Sequence, residues 1–276
     1  MDKKNISVVI LTKNESERIG ACLDSVLSWA SEVLVIDDLS SDETVKIAES
    51  KGAKVLIKGM KNEGTHRNWA YSQAKNLWVL SLDADERVTP ELIEEILHLT
   101  LSAHENSAFT PLDSKPREIQ KVISRGKHLT GFTIPRRNYI GGYWVRFGGQ
   151  YPSAQLKLFR KDKFKYEEVQ VHPRAFLDGK CGHLKKDIIH YSYRDFTDFL
   201  QKLNRQTTLE AEKWISTGRR MSFGHALWRT IDRFFRKFIG KKGYRDGFVG
   251  FMLAVFDSMY QITSYAKYWE LKRKNV

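Results

Sequence analysis

Residues 77–86 have the sequence LWVLSLDADE, an apolar run that ends in two carboxylates one residue apart. Because side chains alternate along an extended strand, Asp83 and Asp85 can point in the same direction. Two carboxylates so placed are hard oxygen ligands of the kind that Mg²⁺ and Mn²⁺ prefer, with phosphate oxygens completing the coordination shell. Asp-x-Asp also occurs in ordinary loops and helix caps, so the surrounding sequence must decide between a metal site and a turn.

The residues around this run alternate between strand and helix patterns over the first hundred positions. Unbroken apolar runs, typical of strands buried on both faces, occur at 6–11, 33–36, 54–57 and 77–82. Helix patterns occupy 16–29, 40–50 (opened by a capping box of Ser40 with Glu43), 64–76 and a segment that begins at Thr89. This alternation predicts an α/β fold, a mostly parallel sheet flanked by helices.

Polar side chains follow three of these predicted strands, at 12–15, at 37–38 and at 83–85. In a parallel sheet the carboxyl ends of the strands meet at one edge, and ligands bind outside that edge. Turn chemistry alone does not readily account for three polar strand ends. The sequence therefore predicts a binding site at this edge.

The second half of the chain is less regular and then helical. Residues 102–130 predict an irregular excursion, and 156–159 predict a strand. Helical patterns follow at 195–216, 223–240 and 247–268. The last of these is too short and too polar for a confident membrane span, so the helices favour a position in the plane of a membrane surface.

Charge and cysteine content restrict the class of protein. The formal net charge is +13, and 14 Lys or Arg against 4 Asp or Glu from residue 213 onward place ten of those charges in the last stretch. This asymmetry points to an anionic surface, which is membrane headgroups, nucleic acid or an acidic partner. The two cysteines, Cys22 and Cys181, cannot form a disulfide framework, and no secretory pattern is present. We therefore expect a reducing, cytoplasmic setting.

Four segments occur in an order that resembles the family 2 glycosyltransferases, inverting enzymes with a nucleotide-sugar donor. They are 7–15 (SVVILTKNE), 35–42 (VIDDLSSD), 64–68 (GTHRN) and 83–85 (DAD). Four later segments resemble a narrower branch, the lipopolysaccharide-core glycosyltransferases with a basic helical tail. They are 134–139 (IPRRNY), 156–160 (LKLFR), 171–172 (VH) and 189–193 (IHYSY).

The resemblance implies a GT-A-like, mostly parallel nucleotide-binding sheet in a domain of residues 1–193. A basic amphipathic helical tail over residues 194–276 would follow it, either on a membrane surface or in an oligomer. The implied partners are a nucleotide-sugar donor and a lipid-linked or lipopolysaccharide-type acceptor. A carboxylate that accepts from the ring N–H of the base favours uracil or thymine, so the expected donor carries UDP. The implied location is peripheral, on the inner face of the cytoplasmic membrane.

The resemblance also implies roles for individual residues of this chain. Asp85 and Asp83 would bind Mg²⁺ or Mn²⁺, with His172 as a further ligand or a diphosphate contact. The nucleotide sugar would contact Thr12, Asn14, Glu15, Asp38, Arg67, Asp83 and Ala84. The base for the acceptor hydroxyl would be Glu168 or Glu167, with Glu168 preferred. Two positions depart from many relatives, since Ser153 stands where they have Asp and Pro173 where they have Glu.

Each assignment has a structural alternative. The Asp-x-Asp and Asp37-Asp38 carboxylates could cap the helices that follow, Arg67 and the two glutamates could be surface charges, and His172 could be a packing residue. At the level of function, a catalytically silent relative and a basic nucleic-acid-binding protein remain as alternatives. Acidic strand ends repel phosphate in the absence of a metal, so nucleic acid is not the partner that we expect.

Overall fold

The computed structural model describes residues 5–102, 122–168 and 174–274. The chain forms two compact units, unit 1 with residues 1–136 and 153–190, and unit 2 with residues 137–152 and 191–276. Its strands are β1 (Ile6–Thr12), β2 (Glu32–Asp37), β3 (Lys54–Ile57), β4 (Trp78–Asp83), β5 (Glu86–Val88), β6 (Val122–Ile134), β7 (Arg136–Ile140), β8 (Tyr143–Val145), β9 (Gln155–Arg160), β10 (Phe164–Tyr166), β11 (Ala175–His183) and β12 (Ile188–Tyr193). Its α-helices are α1 (Ser16–Asp24), α2 (Thr44–Ser50), α3 (Glu63–Ser72), α4 (Pro90–Ser102), α5 (Phe196–Ser216), α6 (Phe223–Phe235) and α7 (Gly247–Lys274).

Unit 1 is built on an eight-stranded sheet with the order β10-β11-β6-β9-β4-β1-β2-β3. The pairs β1–β2, β1–β4, β2–β3 and β6–β11 are parallel, whereas β4–β9, β6–β9 and β10–β11 are antiparallel. The predicted α/β fold with a mostly parallel sheet is thus confirmed. Outside this sheet, β5 pairs antiparallel with β12 through residues 188–190.

Alternate residues of β1 belong to two separate cores, which explains the unbroken apolar run. Val8 and Ile10 share one cluster with Ile19 of α1, and Val9 shares the other with Tyr71 of α3. The sheet therefore has helices on both faces, and a strand between them must be apolar at every position.

Several predicted elements differ at their ends. The helix predicted over 16–29 ends at Asp24, after which the chain continues in turns. The capping box is wrong: Ser40 Oγ donates to Asp37 Oδ2 at 2.5 Å and accepts from the Asn14 N–H at 2.8 Å, so it joins two loops instead. Of the excursion predicted over 102–130, residues 103–121 lie outside the described residues, and 122–130 belong to β6.

Unit 2 has its own cores. Ile140 and Val145 of the β7–β8 hairpin cluster with Phe199 of α5 and Leu253 of α7. Residues 137–152 therefore belong to unit 2, because their apolar side chains are buried against its helices. The predicted domain boundary places them in the first domain. No helix of the described segments has the length and apolarity to cross a membrane.

Candidate functional site

The carboxyl ends of β1, β2 and β4 lie side by side at one edge of the central sheet. In the strand register Thr12 pairs with Asp37 across β1 and β2, and Leu11 pairs with Asp83 across β1 and β4. The three polar segments that the sequence singled out therefore meet at this edge.

Asp83, the last residue of β4, lies between two cations. Its Oδ2 accepts a hydrogen bond from Lys157 Nζ at 2.9 Å, and its Oδ1 lies 3.5 Å from Arg67 Nη2. Burial alone would raise the pKa of Asp83, but the charges of Lys157 and Arg67 outweigh this effect and keep that pKa far below its usual range. Asp83 is consequently ionised at neutral pH, and a charged carboxylate is the form that binds cations.

Lys157 is a buried cation next to the Asp-x-Asp pair. Its side chain is 5% exposed, and its Nζ also donates to Glu86 Oε2 at 2.7 Å. The fully buried Glu86 has its Oε1 3.6 Å from Arg136 Nη1. Burial opposes the charged form of Lys157, yet the two carboxylates prevail and raise its pKa. The result is a row of alternating charges in which each compensates its neighbours, in the order Asp83, Lys157, Glu86 and Arg136.

Asp85 has different neighbours. Its Oδ2 lies 3.6 Å from His190 Nε2 and 4.0 Å from Arg18 Nη1. Its Oδ1 is buried and has no hydrogen-bond partner within the described part of the chain. A buried oxygen of a carboxylate is costly to leave without a partner. This atom is therefore where the protein can accept a cation or a hydrogen-bond donor.

Asp83 and Asp85 fit a divalent metal ion held in part by its substrate. Mg²⁺ commonly binds one or two carboxylates and completes its shell with phosphate oxygens and water. In residues 5–102, 122–168 and 174–274, no group of three His, Cys, Asp or Glu is arranged to hold a metal ion. His172, the predicted further ligand, lies outside the described residues. The two carboxylates would therefore need oxygens from a bound phosphate group.

Asp38 and Thr12 are neighbours at the ends of β2 and β1. The Asp38 N–H donates to the Thr12 carbonyl oxygen at 2.9 Å, and the Asp38 carboxylate accepts from the Met60 N–H at 2.6 Å and from Lys13 Nζ at 2.9 Å. Burial opposes ionisation of Asp38, but these two donors outweigh it and lower its pKa. Thr12 Oγ1 is buried and lacks a hydrogen-bond partner among the described residues. The ends of these two strands thus carry one carboxylate with a lowered pKa and, next to it in the sheet, one threonine whose hydroxyl has no partner in the described segments.

Asn14 and Glu15 lie in the loop after β1 and have structural contacts. Asn14 has a left-handed backbone with φ of 53°, and its Oδ1 accepts from the Ser41 N–H at 2.8 Å. Glu15 accepts two hydrogen bonds from Arg18, at 2.6 and 2.7 Å. Because Arg18 also lies beside Asp85, Glu15 contributes to the position of that cation. Contact of either residue with a nucleotide stays a prediction.

Ala84 is buried between the two aspartates, and its N–H donates to the Leu11 carbonyl oxygen at 3.2 Å. This bond fixes the backbone between Asp83 and Asp85 against the end of β1. Arg67 is partly buried on α3, where it contacts Asp83 and also Glu63 at 3.1 Å. The structure thus places Arg67 beside Asp83 and not on an open surface. We call the sheet edge that carries Asp83 and Asp85 the acidic edge.

Both predicted base residues are ion-paired. Glu167 accepts two hydrogen bonds from Arg174, at 3.1 and 2.7 Å. Glu168 pairs with Lys165 at 2.9 Å, and its side chain is 55% exposed. Glu168 is the more accessible carboxylate of the two.

The segment that carries these glutamates lies against α3. A Cβ added at Gly64 would come within 1.8 Å of the Glu167 carbonyl oxygen, so the helix and the segment are in close contact. Arg67 lies 5.8 Å from the centre of the Tyr166 ring. Glu167 and Glu168 therefore lie beside the helix that provides Arg67 to the acidic edge.

Four site residues were missed in the sequence. Lys157 and Glu86 are buried ions, Arg18 lies on α1 near Asp85, and His190 of β12 also lies near Asp85. The alternation in 156–160 (LKLFR) suggests a strand with Lys157 on the solvent side, whereas β9 is buried on both faces over residues 156–159. A lysine inside such a strand needs a buried carboxylate as partner. That carboxylate can be identified only when the neighbouring strand is known.

A mainly parallel sheet with an acidic Asp-x-Asp edge is the arrangement that the resemblance to glycosyltransferases implied. The model of glycosyl transferase family 2 matches residues 7–167, which is more than half of the chain. The chain therefore belongs to this family and is a glycosyltransferase.

Individual proteins resemble the chain over most of its length. An uncharacterised glycosyltransferase of Rickettsia felis is 27% identical over 275 residues, covering 99% of this chain and 93% of its own. The lipopolysaccharide core biosynthesis glycosyltransferase LpsC of Rhizobium meliloti is 22% identical over 276 residues, covering 97% and 93%. Among solved structures, glucosyl-3-phosphoglycerate synthase of Mycobacterium tuberculosis with Mn²⁺, UDP and glucosyl-3-phosphoglycerate is 18% identical with a TM-score of 0.33, over 50% of this chain and 45% of that one.

Proposed function

We propose that this glycosyltransferase is a metal-dependent inverting enzyme. It transfers a sugar from a UDP-linked donor to a membrane-associated glycan such as a lipopolysaccharide core, at the inner face of the cytoplasmic membrane. The observation that carries the proposal is the buried Oδ1 of Asp85, which has no hydrogen-bond partner among the described residues, beside the ionised Asp83 at the edge where three strands end.

The acidic edge suits a diphosphate leaving group. Asp83 and Asp85 would hold a divalent cation there, and such a cation would supply Lewis-acid stabilisation to a diphosphate leaving group. Arg67 supplies a planar cation suited to phosphate oxygens, and its contact with Asp83 orients it towards the same place. Arg18 and His190 lie near Oδ2 of Asp85 and help to keep that carboxylate in position.

Asp38 and Thr12 suit the base of the donor nucleotide. An ionised carboxylate accepts a hydrogen bond from the imide N–H of uracil, whereas cytosine has no such donor. The lowered pKa of Asp38 keeps it in the accepting form, and the Thr12 hydroxyl, which has no partner in the described part of the chain, lies at the end of the neighbouring strand. These two groups support UDP over CDP.

Glu168 and one relative support the part of the proposal that concerns the acceptor. Glu168 is an exposed carboxylate beside α3, and inversion needs a base that removes the proton of the acceptor hydroxyl. Similarity to LpsC over nearly the whole chain supports a glycan of the lipopolysaccharide-core type as acceptor.

Calorimetry with UDP and Mn²⁺ tests the proposal. Wild-type protein should bind UDP, and omission of Mn²⁺ or the change Asp85→Asn should weaken binding at least about tenfold, since a charge-assisted contact contributes about 1.5–3 kcal/mol. Asp178→Asn is the matched control, because Asp178 is an exposed carboxylate of β11 that pairs with Lys163. It should leave UDP binding unchanged.

Donor hydrolysis over UDP-glucose, UDP-galactose, UDP-N-acetylglucosamine and a nucleoside-diphosphate heptose identifies the sugar. Absence of UDP binding in the presence of Mn²⁺ contradicts the proposal. UDP binding without turnover of any donor would instead indicate a catalytically silent relative.

A further inference from the structure

Large apolar side chains are exposed along one side of α6 and its continuation. The continuation is a π-helical turn over Arg236–Gly240. Trp228 is 65% exposed and Phe235 is 58% exposed, and they belong to a set of exposed residues spaced mostly four apart. The full set is Phe223, Leu227, Trp228, Ile231, Phe235 and Ile239. We call this set the α6 stripe. The opposite side of α6 carries the fully buried Ala226, so the stripe is turned away from the core of unit 2.

Ring contacts connect the α6 stripe to the beginning of α7. Phe235 contacts Phe234 with ring centres 5.5 Å apart, and Phe234 contacts Phe251 of α7 at 6.0 Å. Phe248, one turn before Phe251, is 69% exposed. The exposed apolar surface thus extends over two helices, which is more than scattered single residues would produce.

Basic side chains border this surface. Nine Lys or Arg against one Asp lie between residues 219 and 245. Asp232 pairs with Arg236 at 2.5 Å. Lys241 and Lys242 are exposed and Arg229 is half-buried, and no ion pair with a carboxylate is found for them within the described segments. The apolar surface is therefore accompanied by free positive charge.

The charge decides which partner fits the surface. A second copy of this chain would bring two strongly basic segments together and would therefore be repelled. An anionic bilayer matches both features, because headgroups attract the basic residues while the interface accepts the aromatic rings. An amphipathic helix of this kind lies in the plane of the interface and does not cross it.

We propose that the α6 stripe, together with Phe248 and Phe251, is a membrane-docking surface that inserts into the interface of an anionic lipid bilayer. This inference deepens the proposed function, since it names the surface that brings the enzyme to a membrane-associated acceptor. It rests on the geometry and charge of unit 2.

Co-sedimentation of the full chain with lipid vesicles tests the inference. The chain should bind vesicles of phosphatidylcholine and phosphatidylglycerol mixed about two to one, and bind phosphatidylcholine alone at least roughly tenfold more weakly. Trp228→Ser with Phe235→Ser should lower the partition coefficient at least about tenfold, because two exposed rings no longer enter the interface. Arg229→Gln with Lys242→Gln should lower it roughly 30-fold at low salt, since each basic residue contributes separately.

Matched variants separate this surface from general effects of charge and hydrophobicity. Trp269→Ser removes an exposed tryptophan of α7 outside the stripe, and Lys46→Gln with Lys54→Gln removes two exposed charges of unit 1. Both should bind vesicles like wild type. Circular dichroism and thermal unfolding verify that each variant is folded.

Vesicle binding that does not change in the Trp228→Ser, Phe235→Ser variant overturns the inference, as does equal binding to neutral and anionic vesicles. A dimer in solution that this variant converts to a monomer overturns it too, since the surface would then be an interface between copies. UDP binding, measured in parallel, keeps the two proposals apart. A chain that binds anionic vesicles but not UDP contradicts the proposed enzyme activity and leaves the docking surface intact.

Discussion

Lys157 shows how unit 1 tolerates acidic residues at the end of a buried strand. A carboxylate that loses water is destabilised unless a nearby cation replaces the lost solvation. Lys157 contacts both Asp83 and Glu86, so a single buried ammonium group compensates the Asp83 carboxylate at the acidic edge and also the fully buried Glu86 carboxylate. Its contribution is to keep Asp83 ionised and in position, with no contact to substrate required.

We predict that Lys157→Met lowers the free energy of unfolding by about 3 kcal/mol, because it leaves the fully buried Glu86 without its closest cation. Urea unfolding at pH 7 measures the change. Adding Glu86→Gln to the variant should restore part of the lost stability, since the uncompensated charge is then removed. Lys163→Met is the control, because Lys163 pairs with Asp178 at the surface, where solvent screens the pair, and its removal should change the stability little. Equal effects of the two lysine changes would contradict a compensating role for Lys157.

The difference between Asp85 and Lys157 shows what the sequence can predict at the scale of a residue. Asp83 and Asp85 follow an apolar run, and the alternation of strands with helices is enough to place them at a sheet edge. Lys157 contacts Asp83 only because β9 pairs antiparallel with β4, 74 residues away in the chain. Local patterns carry no information on that pairing, so the buried cation could not be predicted.

Helix α3 is the element that connects the acidic edge to the segment with the predicted base. Its Arg67 contacts Asp83, and its Asn68 exchanges hydrogen bonds with the backbone of Tyr166, at 2.9 and 2.8 Å. Gly64 in the first turn allows the Glu167 carbonyl to approach. The position of the Glu167–Glu168 segment relative to Arg67 therefore depends on a residue without a side chain.

We predict that Gly64→Ala destabilises the protein by about 2 kcal/mol, because the added Cβ would lie 1.8 Å from the Glu167 carbonyl oxygen and must displace the backbone. Thermal unfolding measures the stability. Gly224→Ala is the control, since Gly224 lies in a helix and an added Cβ would meet open space. This change should leave the stability unchanged or raise it by under about 1 kcal/mol. A Gly64→Ala variant as stable as the Gly224→Ala variant would show that α3 and the segment are not in close contact.

At the scale of elements, the sequence predicts best the strands and helices that depend on residues close to them in the chain. Strand β3 has the predicted bounds, and α5 begins one residue after its prediction because Asp195 caps it through the Asp198 N–H at 2.7 Å. The strands β7, β8 and β10–β12 were not predicted. Their sequences, rich in polar and aromatic residues, have no regular period, and their extended form depends on partners distant in the chain.

At the scale of the whole molecule, the buried clusters divide between the two units. Two clusters contain only residues of unit 1, and two contain only residues of unit 2. The residues proposed for the donor, the metal and the base all belong to unit 1, whereas the docking surface belongs to unit 2. Since each unit has a core of its own, ligands of the two should stabilise different parts of the chain.

We predict that UDP with Mn²⁺ slows hydrogen exchange in unit 1 and leaves unit 2 unchanged. At a free UDP concentration of about 100 times its Kd, a ligand that binds only the folded form stabilises it by about 2.7 kcal/mol, which slows exchange through unfolding about 100-fold. Amides of β1, β2 and β4 should show this change, and amides of α6 and α7 should not. Anionic vesicles should produce the reverse, with slower exchange in α6 and no change in β1. Mass spectrometry of deuterium uptake measures both. A uniform change across both units in either experiment would mean that they unfold together and would contradict separate cores.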